Sequence, residues 1–205
     1  MAGLYDKQFD FYVDARPTYP TEWYSILAAL TPDHSLAWDV STGNGQVAIG
    51  VAEHYEQVVG TDVNEARLKL AMPHPSIRYL HSPISIPDDE LVDLTGGENS
   101  VDLVTMATAI YSLEFPKFYT IVKRLLKKPG GCEGEPRQLD MSMELSLENL
   151  LKISRSWSSV TMAKDQGVDL LSESVVKEFE SAWGAPTLVR SVIFKSFMLA
   201  GKVRL

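Results

Sequence analysis

The chain has 205 residues, of which 45% are hydrophobic and 22% are charged, a composition typical of a globular protein with a substantial core. Its net charge of −8 and pI of about 5.0 argue against a nucleic-acid partner, which needs a basic face. A single cysteine, Cys132, excludes an internal disulfide framework, and no apolar run reaches the ~20 residues that cross a bilayer. We expect a cytoplasmic protein with no nucleic-acid or membrane partner, and a nuclear location fits equally well.

Strands and helices alternate in the first two thirds of the chain. Trp23, Ile26, Leu27 and Leu30 share one helical face, and Thr21 before them is a candidate N-cap. Short apolar runs predict buried strands over residues 36–40, 57–62, 77–80 and 101–107. Helical spacing predicts further helices over residues 48–55, 64–72 and 118–125, and the acidic run 88–90 favours a helix N-terminus. This order predicts an α/β fold, a doubly wound and mostly parallel sheet with helices on both faces.

The C-terminal third has a different pattern. Two helices are predicted over residues 146–164 and 170–183, followed by a strand-like run over residues 189–203. No repeat or low-complexity linker separates this part from the rest. We therefore predict one domain over residues 1–205, with an N-terminal lid and helix (1–35), a cofactor-binding half (36–131) and a shortened C-terminal half (132–205).

The order expected of a doubly wound sheet breaks after Pro129-Gly130-Gly131. An apolar fifth strand should follow this helix-terminating segment, but residues 132–137 are polar and typical of a turn. We interpret the junction as the loss of a fifth strand, as in a shortened isoform or gene-model product. The fourth strand would then have a free apolar edge unless the C-terminal strand pairs with it.

A glycine-containing turn follows the first predicted strand. It reads Asp39-Val40-Ser41-Thr42-Gly43-Asn44-Gly45-Gln46 and leads into a helix. In doubly wound sheets ligands bind at the carboxyl ends of the strands, and glycines let the backbone approach them closely. Asp62 ends the second strand, where an acid accepts hydrogen bonds from ribose hydroxyls. The pattern predicts a site for a nucleoside-containing cofactor; the structural alternative is a capped tight turn beside an exposed acid.

Two cofactor classes fit this pattern. The third glycine of a dinucleotide fingerprint, counted from Gly43, falls on Ala48, and alanine is permitted there, so NAD is not excluded. Asp39, however, would repel a pyrophosphate, whereas it could pair with the amino group of a methionine moiety. The residues therefore favour S-adenosyl-L-methionine (SAM) over NAD.

The glycine turn resembles the first motif of class I SAM-dependent methyltransferases. Residues 60–63 (Gly-Thr-Asp-Val) resemble the family's next motif, residues 81–84 occupy its adenine-contact region, and residues 125–131 resemble the stretch before its strand five. Residues 12–20 (Tyr-Val-Asp-Ala-Arg-Pro-Thr-Tyr-Pro) are similar to the entry segment of the type-11 group related to trans-aconitate methyltransferases, especially its plant members. The resemblance covers residues 4–131 and resumes from about 133.

This resemblance implies roles for the turn and for the strand ends. The glycine turn would border the methionine portion of SAM, and Asp62 would hold the ribose hydroxyls. Val63 and the pair at 83–84 would flank the adenine, and Ala107 after strand four would lie under the sulfonium. The implied cofactor-binding residues are Asp39, Ser41, Thr42, Gly43, Gly45, Asp62, Val63, Pro83, Ile84 and Ala107.

Ser41 departs from the family pattern, which usually has glycine there. Its Cβ would crowd the methionine tail or force a backbone conformation that costs on the order of 1–3 kcal/mol. Together with the missing strand, this keeps open a catalytically impaired SAM-fold protein beside our first prediction, a SAM-dependent methyltransferase acting on a small molecule. An NAD-dependent oxidoreductase is a third, less favoured alternative.

The substrate side is less defined. Methyl transfer from a sulfonium mainly needs alignment of the acceptor and exclusion of water, so no catalytic residue is assigned. Tyr12, Arg16 and Tyr19 could form a lid, with Arg16 binding a carboxylate, although a surface arginine stacked on tyrosine fits equally well. Tyr111 could attract the sulfonium, although core packing is the stronger interpretation. The four histidines lack ligand spacing, so no metal is predicted, and monomer and dimer both stay open.

Overall fold

The structure is a computed structural model that describes residues 18–109, 114–127 and 137–198. Two compact units, Tyr19–Arg137 and Gln138–Ser196, contain nearly all of these residues. The single domain predicted over residues 1–205 stays a prediction beside this division.

The first unit is built around a parallel four-stranded sheet. Its elements are α1 (Thr21–Ala29), β1 (Leu36–Val40), α2 (Gln46–Ala52), β2 (Gln57–Asp62), α3 (Glu65–Leu68), β3 (Ile77–His81), α4 (Asp88–Thr95), β4 (Leu103–Met106) and α5 (Phe115–Leu125). The strand order is β3-β2-β1-β4, so the chain winds outward in both directions from β1. The predicted doubly wound α/β fold is confirmed, with β4 and α3 shorter than predicted.

Helices cover both faces of the sheet, in agreement with strands that are buried on both faces over nearly their whole length. On one face, α1 and α2 bury Tyr24, Ala28, Ala48 and Val51 against alternate strand residues, among them Val58. On the other face, α4 and α5 pack on a second set of strand residues. The buried members of that layer are Trp38, Val40, Val59, Val92, Val101, Ile121, Val122 and Leu125.

The N-termini of α3 and α1 test the two residues that the sequence predicts as N-caps. The Asn64 side chain accepts hydrogen bonds from the N–H groups of Ala66 and Arg67, at 2.9 and 3.3 Å, so its predicted role as N-cap of α3 is confirmed. The prediction that Thr21 caps α1 is wrong, because Thr21 is the first residue inside the helix and Pro20 holds the cap position without a side-chain bond. Proline fits there because its backbone is pre-set for entry into a helix.

Within the described residues the sheet ends at β4. Beyond β4, among these residues, only an isolated parallel bridge forms, between Val101 and Leu126, where a fifth strand would begin. The C-terminal strand does not fill this edge over its described length, since it pairs with a different strand in a separate sheet. The predicted loss of strand five concerns the segment after Gly131, which lies outside the described residues, so it stays a prediction.

The second unit contains a two-stranded sheet and a helical segment between its strands. Its elements are β5 (Arg137–Ser146), α6 (Leu147–Arg155), α7 (Ser158–Asp165), α8 (Glu173–Trp183) and β6 (Val189–Met198). Asp140 contacts Lys195, and Ser142 contacts Ser191, so residue numbers fall along β6 as they rise along β5, as in an antiparallel pair. Leu147, Leu151 and Trp183 form the core of this unit.

Candidate functional site

The carboxyl ends of four parallel strands meet at one edge of the first unit's sheet. Val40, the last residue of β1, pairs with Thr61 of β2 on one side and with Met106 of β4 on the other. The loops that leave β1, β2 and β4 therefore start side by side. Since β2 and β4 lie on opposite sides of β1, this is the point at which a doubly wound sheet binds ligands.

The glycine turn, residues 39–46, forms a tight backbone loop at this edge. Gly43 and Gly45 have φ of +60° and +85°, which favour glycine. The N–H of Thr42 donates to the carbonyl of Thr61 at 2.9 Å, which fixes the loop to β2. A Cβ built on Gly43 meets nothing within 4 Å, whereas a Cβ on Gly45 would overlap the Tyr79 phenol. The open side of the turn therefore lies at Gly43.

Ser41 holds a left-handed backbone conformation in the same turn. Its φ is +54°, which agrees with the second of the two predicted effects, a costly backbone conformation; crowding of the methionine tail stays a prediction. An L-residue pays roughly 1–2 kcal/mol for this conformation. Thr108, in the loop that follows β4, has φ of +53°. Strained residues in two neighbouring loops at one sheet edge are typical of functional sites.

Asp39 lies beneath the glycine turn and is 1% exposed. Its carboxylate accepts hydrogen bonds from the hydroxyls of Thr42 and Thr105, at 2.6 and 2.8 Å, and from the N–H of Ala48. Burial raises the pKa of Asp39 to about 6; the hydroxyl donors oppose this rise, and the charge of Asp62 adds to it. In the structure Asp39 connects β1 to the turn and to β4 through these hydrogen bonds. Its contact with a cofactor amino group stays a prediction.

Asp62 connects the end of β2 directly to the glycine turn. Its Oδ2 accepts a hydrogen bond from the N–H of Gly43 at 2.9 Å, and its Oδ1 accepts one from the N–H of Asn64 at 2.8 Å. The side chain is 2% exposed. The two elements predicted to share a cofactor site are therefore in contact, and the acid is held in place by backbone donors from both sides.

Apolar side chains lie exposed beside Asp62. Val63 and Ile84 are 51% and 83% exposed, and Pro83 is half-buried. The N–H of Ser82 donates to the carbonyl of Asp62 at 3.0 Å, and the His81 ring contacts the carbonyl of Val63 at 3.1 Å. These bonds hold the loop after β3 against the end of β2, so the residues predicted to flank an adenine belong to adjoining loops.

The remaining predicted site residues have mixed outcomes. Ala107 follows β4 directly and is half-buried at the same sheet edge. Tyr19 packs against the α1–α2 side of the core. Tyr12, Arg16 and Tyr111 lie outside the described residues, so their proposed substrate roles stay predictions.

Three residues at this edge were missed by sequence reasoning. Thr105 faces Asp39 across the β1–β4 pair, which the strand register predicts once the two strands are aligned. Tyr79 pairs with Gly60 and covers Gly45, and its hydroxyl donates to the carbonyl of Met72 at 3.0 Å. Asn44, between the two glycines, is buried, and nothing in the sequence distinguishes it from an ordinary turn residue.

Comparison with known proteins identifies the segment that carries this site. Residues 37–131 match the family model of the methyltransferase domain. The matched segment is slightly less than half of the chain, and over this segment the chain is similar to methyltransferase domains. The match includes the glycine turn, Asp62 and the loops after β3 and β4, and it supports SAM as the cofactor of the domain. The subtype, type-11 and plant-like, stays a prediction.

Relatives and solved structures agree with this assignment. The chain is 33% identical over 120 residues to a Dictyostelium discoideum protein named as a methyltransferase, covering 58% of this chain and 43% of that protein. It is 44% identical over 140 residues to methyltransferase cfoB of Aspergillus candidus, covering 62% of this chain and 42% of that protein. The match thus spans less than half the length of these relatives.

One solved structure matches this chain over nearly its whole length, unlike the relatives above. It comes from Anaeromyxobacter dehalogenans and is described as a type II methyltransferase, with a TM-score of 0.69 at 22% identity. The match covers 88% of this chain and 94% of that one. At this identity, the likeness supports the fold of the methyltransferase domain.

Proposed function

We propose that this protein is a SAM-dependent methyltransferase that transfers a methyl group to a small-molecule acceptor. The 2.9 Å hydrogen bond between the Gly43 N–H and Asp62 carries the proposal, because it joins the glycine turn to the strand-end acid at one crevice. Such a pairing suits a ligand that has a ribose next to an extended polar tail. SAM has this structure, and it is the cofactor of class I methyltransferases, to which residues 37–131 are similar.

In this proposal Asp62 accepts hydrogen bonds from the ribose hydroxyls. Each of its oxygens accepts one backbone N–H, and a carboxylate oxygen has room for a further donor. Because the side chain is only 2% exposed, the groups that cover it must move before a ribose reaches it. Val63 and Ile84, both exposed, supply apolar surface for the two faces of the adenine.

The protein's contribution to the reaction is positioning. SAM, when bound, supplies a methyl group already activated by its sulfonium. Asp39 holds the end of β1 to the end of β4 through Thr105, and thereby fixes the glycine turn relative to Ala107. Alignment of the acceptor with the methyl carbon and exclusion of water are then the main requirements for transfer.

Charge supports a small-molecule acceptor. The chain has a net charge of −8. Two of the basic residues near the end of α5 are engaged in ion pairs: Arg124 contacts Asp89 and Glu98, and Lys127 contacts Asp102, which reduces the basic charge available there for phosphates. None of the described helices combines the length and the apolar character needed to cross a membrane. A cytoplasmic location stays our prediction.

A SAM-fold protein that binds the cofactor without transferring methyl groups is the second candidate. The strained Ser41 in the turn and the sheet that ends at β4, within the described residues, favour it. Either feature would weaken alignment of the methyl group more than binding of the ribose. The two candidates therefore differ in turnover and agree in cofactor binding.

Calorimetry followed by a turnover assay tests both candidates. We expect the full chain to bind SAM and S-adenosylhomocysteine and not NAD, and to form S-adenosylhomocysteine in the presence of a panel of small carboxylates, phenols and amines. Binding of SAM without product from the panel would favour the second candidate. Binding of NAD alone, or of none of the three, would overturn the SAM assignment.

A further inference from the structure

The last strand of the second unit, β6, has apolar side chains on both of its faces. On one face Val192 packs against the core that contains Trp183. On the other face Ile193 and Phe197 are 56% and 67% exposed. Strands that lie at the surface usually alternate apolar with polar residues, whereas apolar side chains on both faces are typical of a strand inside a larger sheet. β6 therefore has the composition of an interior strand.

The outer edge of β6 lacks the features that protect exposed strand edges. Among the described residues β6 pairs only with β5, so its other edge is not paired with a strand of this part of the chain. Proteins protect such edges with proline, with charged side chains or by keeping the strand short. β6 extends over ten residues without a proline, and the Lys195 ammonium is bound to the Asp140 carboxylate of β5 at 2.9 Å. The edge is therefore suited to a further strand.

Antiparallel pairing of β6 with the same strand of a second copy is self-complementary in one register. A twofold axis perpendicular to the sheet keeps each face on its own side, so odd-numbered residues lie opposite odd-numbered ones, and even opposite even. With the axis at Ile193, apolar residues lie opposite apolar ones and cations lie opposite hydroxyls. The opposed residues are Ile193 with itself, Phe194 with Val192, Phe197 with Val189, Lys195 with Ser191, and Arg190 with Ser196.

The neighbouring registers lose this match. An axis at Val192 places Lys195 opposite Val189 and Arg190 opposite Phe194. An axis at Phe194 again places both cations opposite apolar side chains, and an axis at Lys195 places two ammonium groups opposite each other. Like charges directly opposite are destabilising, and a cation opposite an apolar side chain replaces a favourable apolar pair. The sequence of β6 thus favours a single self-pairing register.

We propose that two copies of this chain associate through the outer edge of β6, with Ile193 on the twofold axis. The contact joins the two small sheets into one antiparallel sheet of four strands, in the order β5-β6-β6-β5. It supplies backbone hydrogen bonds to the outer edge and places Ile193 and Phe197 beside apolar side chains of the second copy. The association needs no cofactor, so it is independent of the proposed function.

Sedimentation velocity of the full chain, from nanomolar to high micromolar concentrations, tests the association. We expect a species of twice the 22.8 kDa chain mass. Ile193→Lys should raise the dissociation constant on the order of tenfold or more, because two ammonium groups would lie opposite each other on the axis. Val168→Lys introduces the same charge at a 53% exposed residue outside the sheet and should leave the dissociation constant unchanged. A wild-type chain that stays monomeric, or equal effects of the two variants, would overturn the proposal.

Ser191 tests the register separately. Its hydroxyl contacts that of Ser142 at 2.9 Å, and the proposed register places it opposite Lys195 of the second copy. Ser191→Glu should therefore tighten the dimer and Ser191→Lys should weaken it, each by roughly threefold or more. Both variants remove the same hydroxyl contact, so damage to the β5–β6 pair would shift both dissociation constants in the same direction. Shifts of the same sign, or no shift in either variant, would overturn the proposed pairing.

Discussion

The hydroxyl of Thr105 donates a 2.8 Å hydrogen bond to the buried carboxylate of Asp39 across the β1–β4 pair. A second hydroxyl, from Thr42, reaches the same carboxylate from the glycine turn at 2.6 Å. One fully buried acid therefore ties together a strand end, the turn that follows it and the neighbouring strand. Its protonation state should affect all three.

Stability should depend on pH through Asp39. Its pKa is raised from 3.8 to about 6 in the folded protein, so the folded state binds this proton more readily than the unfolded chain. The stability that this group contributes is thus lowest above about pH 6, rises as pH falls through 6, and is complete below 3.8. Relative to Asp39→Asn, wild type should gain about 2 kcal/mol in free energy of unfolding from about pH 7.5 to about pH 4.

Urea titrations of both proteins at matched pH values measure this difference. The groups that act electrostatically with Asp39 are Asp62, Tyr24 and Tyr79, and the pKa values of both tyrosines are raised, so the tyrosines stay neutral in this range. Subtracting the free energy of unfolding of Asp39→Asn from that of wild type at each pH removes the contributions of distant carboxylates. Parallel curves for the two proteins would refute a raised pKa at Asp39.

Asp62 should govern cofactor affinity. Asp62→Ala removes the proposed ribose acceptor, so SAM binding should weaken by about 1.5–3 kcal/mol, the range for hydrogen bonds to a charged group. Calorimetry measures the change, and Asp33→Asn, at an exposed acid outside the site, is the control. Because Asp62 also holds the N–H of Gly43, ligand-free melting must show that the variant is folded. A folded variant with unchanged affinity would remove the ribose assignment.

Ser41→Gly should stabilise the protein. The substitution relieves a φ of +54°, and the gain of roughly 1–2 kcal/mol is reduced by up to about 1 kcal/mol because glycine makes the unfolded chain more flexible. Ser41→Ala keeps the Cβ and should show no such gain. Asn99→Gly relieves a similar φ of +55° away from the site. It should raise stability and leave SAM affinity unchanged. If SAM affinity rises in Ser41→Gly and not in Asn99→Gly, the strain acts on the cofactor site.

The two glycines of the turn should respond differently to alanine. Both have positive φ, so each substitution pays about 1–2 kcal/mol of backbone strain. Gly45→Ala should cost about 1–3 kcal/mol more than Gly43→Ala, because its Cβ would overlap the Tyr79 ring, whose Cζ would lie 2.7 Å away. Urea denaturation of both variants gives the difference. Equal losses would mean that the ring moves aside at little cost.

Much of the first unit could be predicted from sequence because its strands are buried on both faces. The run over residues 36–40 is short and mostly apolar, and the structure places β1 at the predicted residues. The strand over residues 137–146 was missed, although Leu139, Met141, Met143 and Leu145 alternate with polar residues as a half-buried strand requires. One helix predicted over residues 146–164 is divided at Ser156, whose hydroxyl donates to the carbonyl of Ile153 at 2.6 Å.

Some residues of the candidate site could be predicted from the sequence, and others could not. Gly43, Gly45 and Asp62 could be found because their residue types and spacing follow from backbone geometry. Tyr79 could not, since its role depends on the fold bringing its ring over Gly45 from a separate strand. The covered position of Asp39 beneath the turn is likewise a product of packing, as its hydroxyl partner Thr105 lies far along the chain.

The pairing of β5 with β6 has a consequence for the order of assembly. These strands are joined by α6, α7 and α8 rather than by a short turn, so their ends must meet across a long loop. Closing that loop costs conformational entropy before the contacts between the strands form and offset the cost. Strand pairing across a long loop is therefore slow. We expect the three helices to compact first and the two strands to register late, as the slow step of this unit.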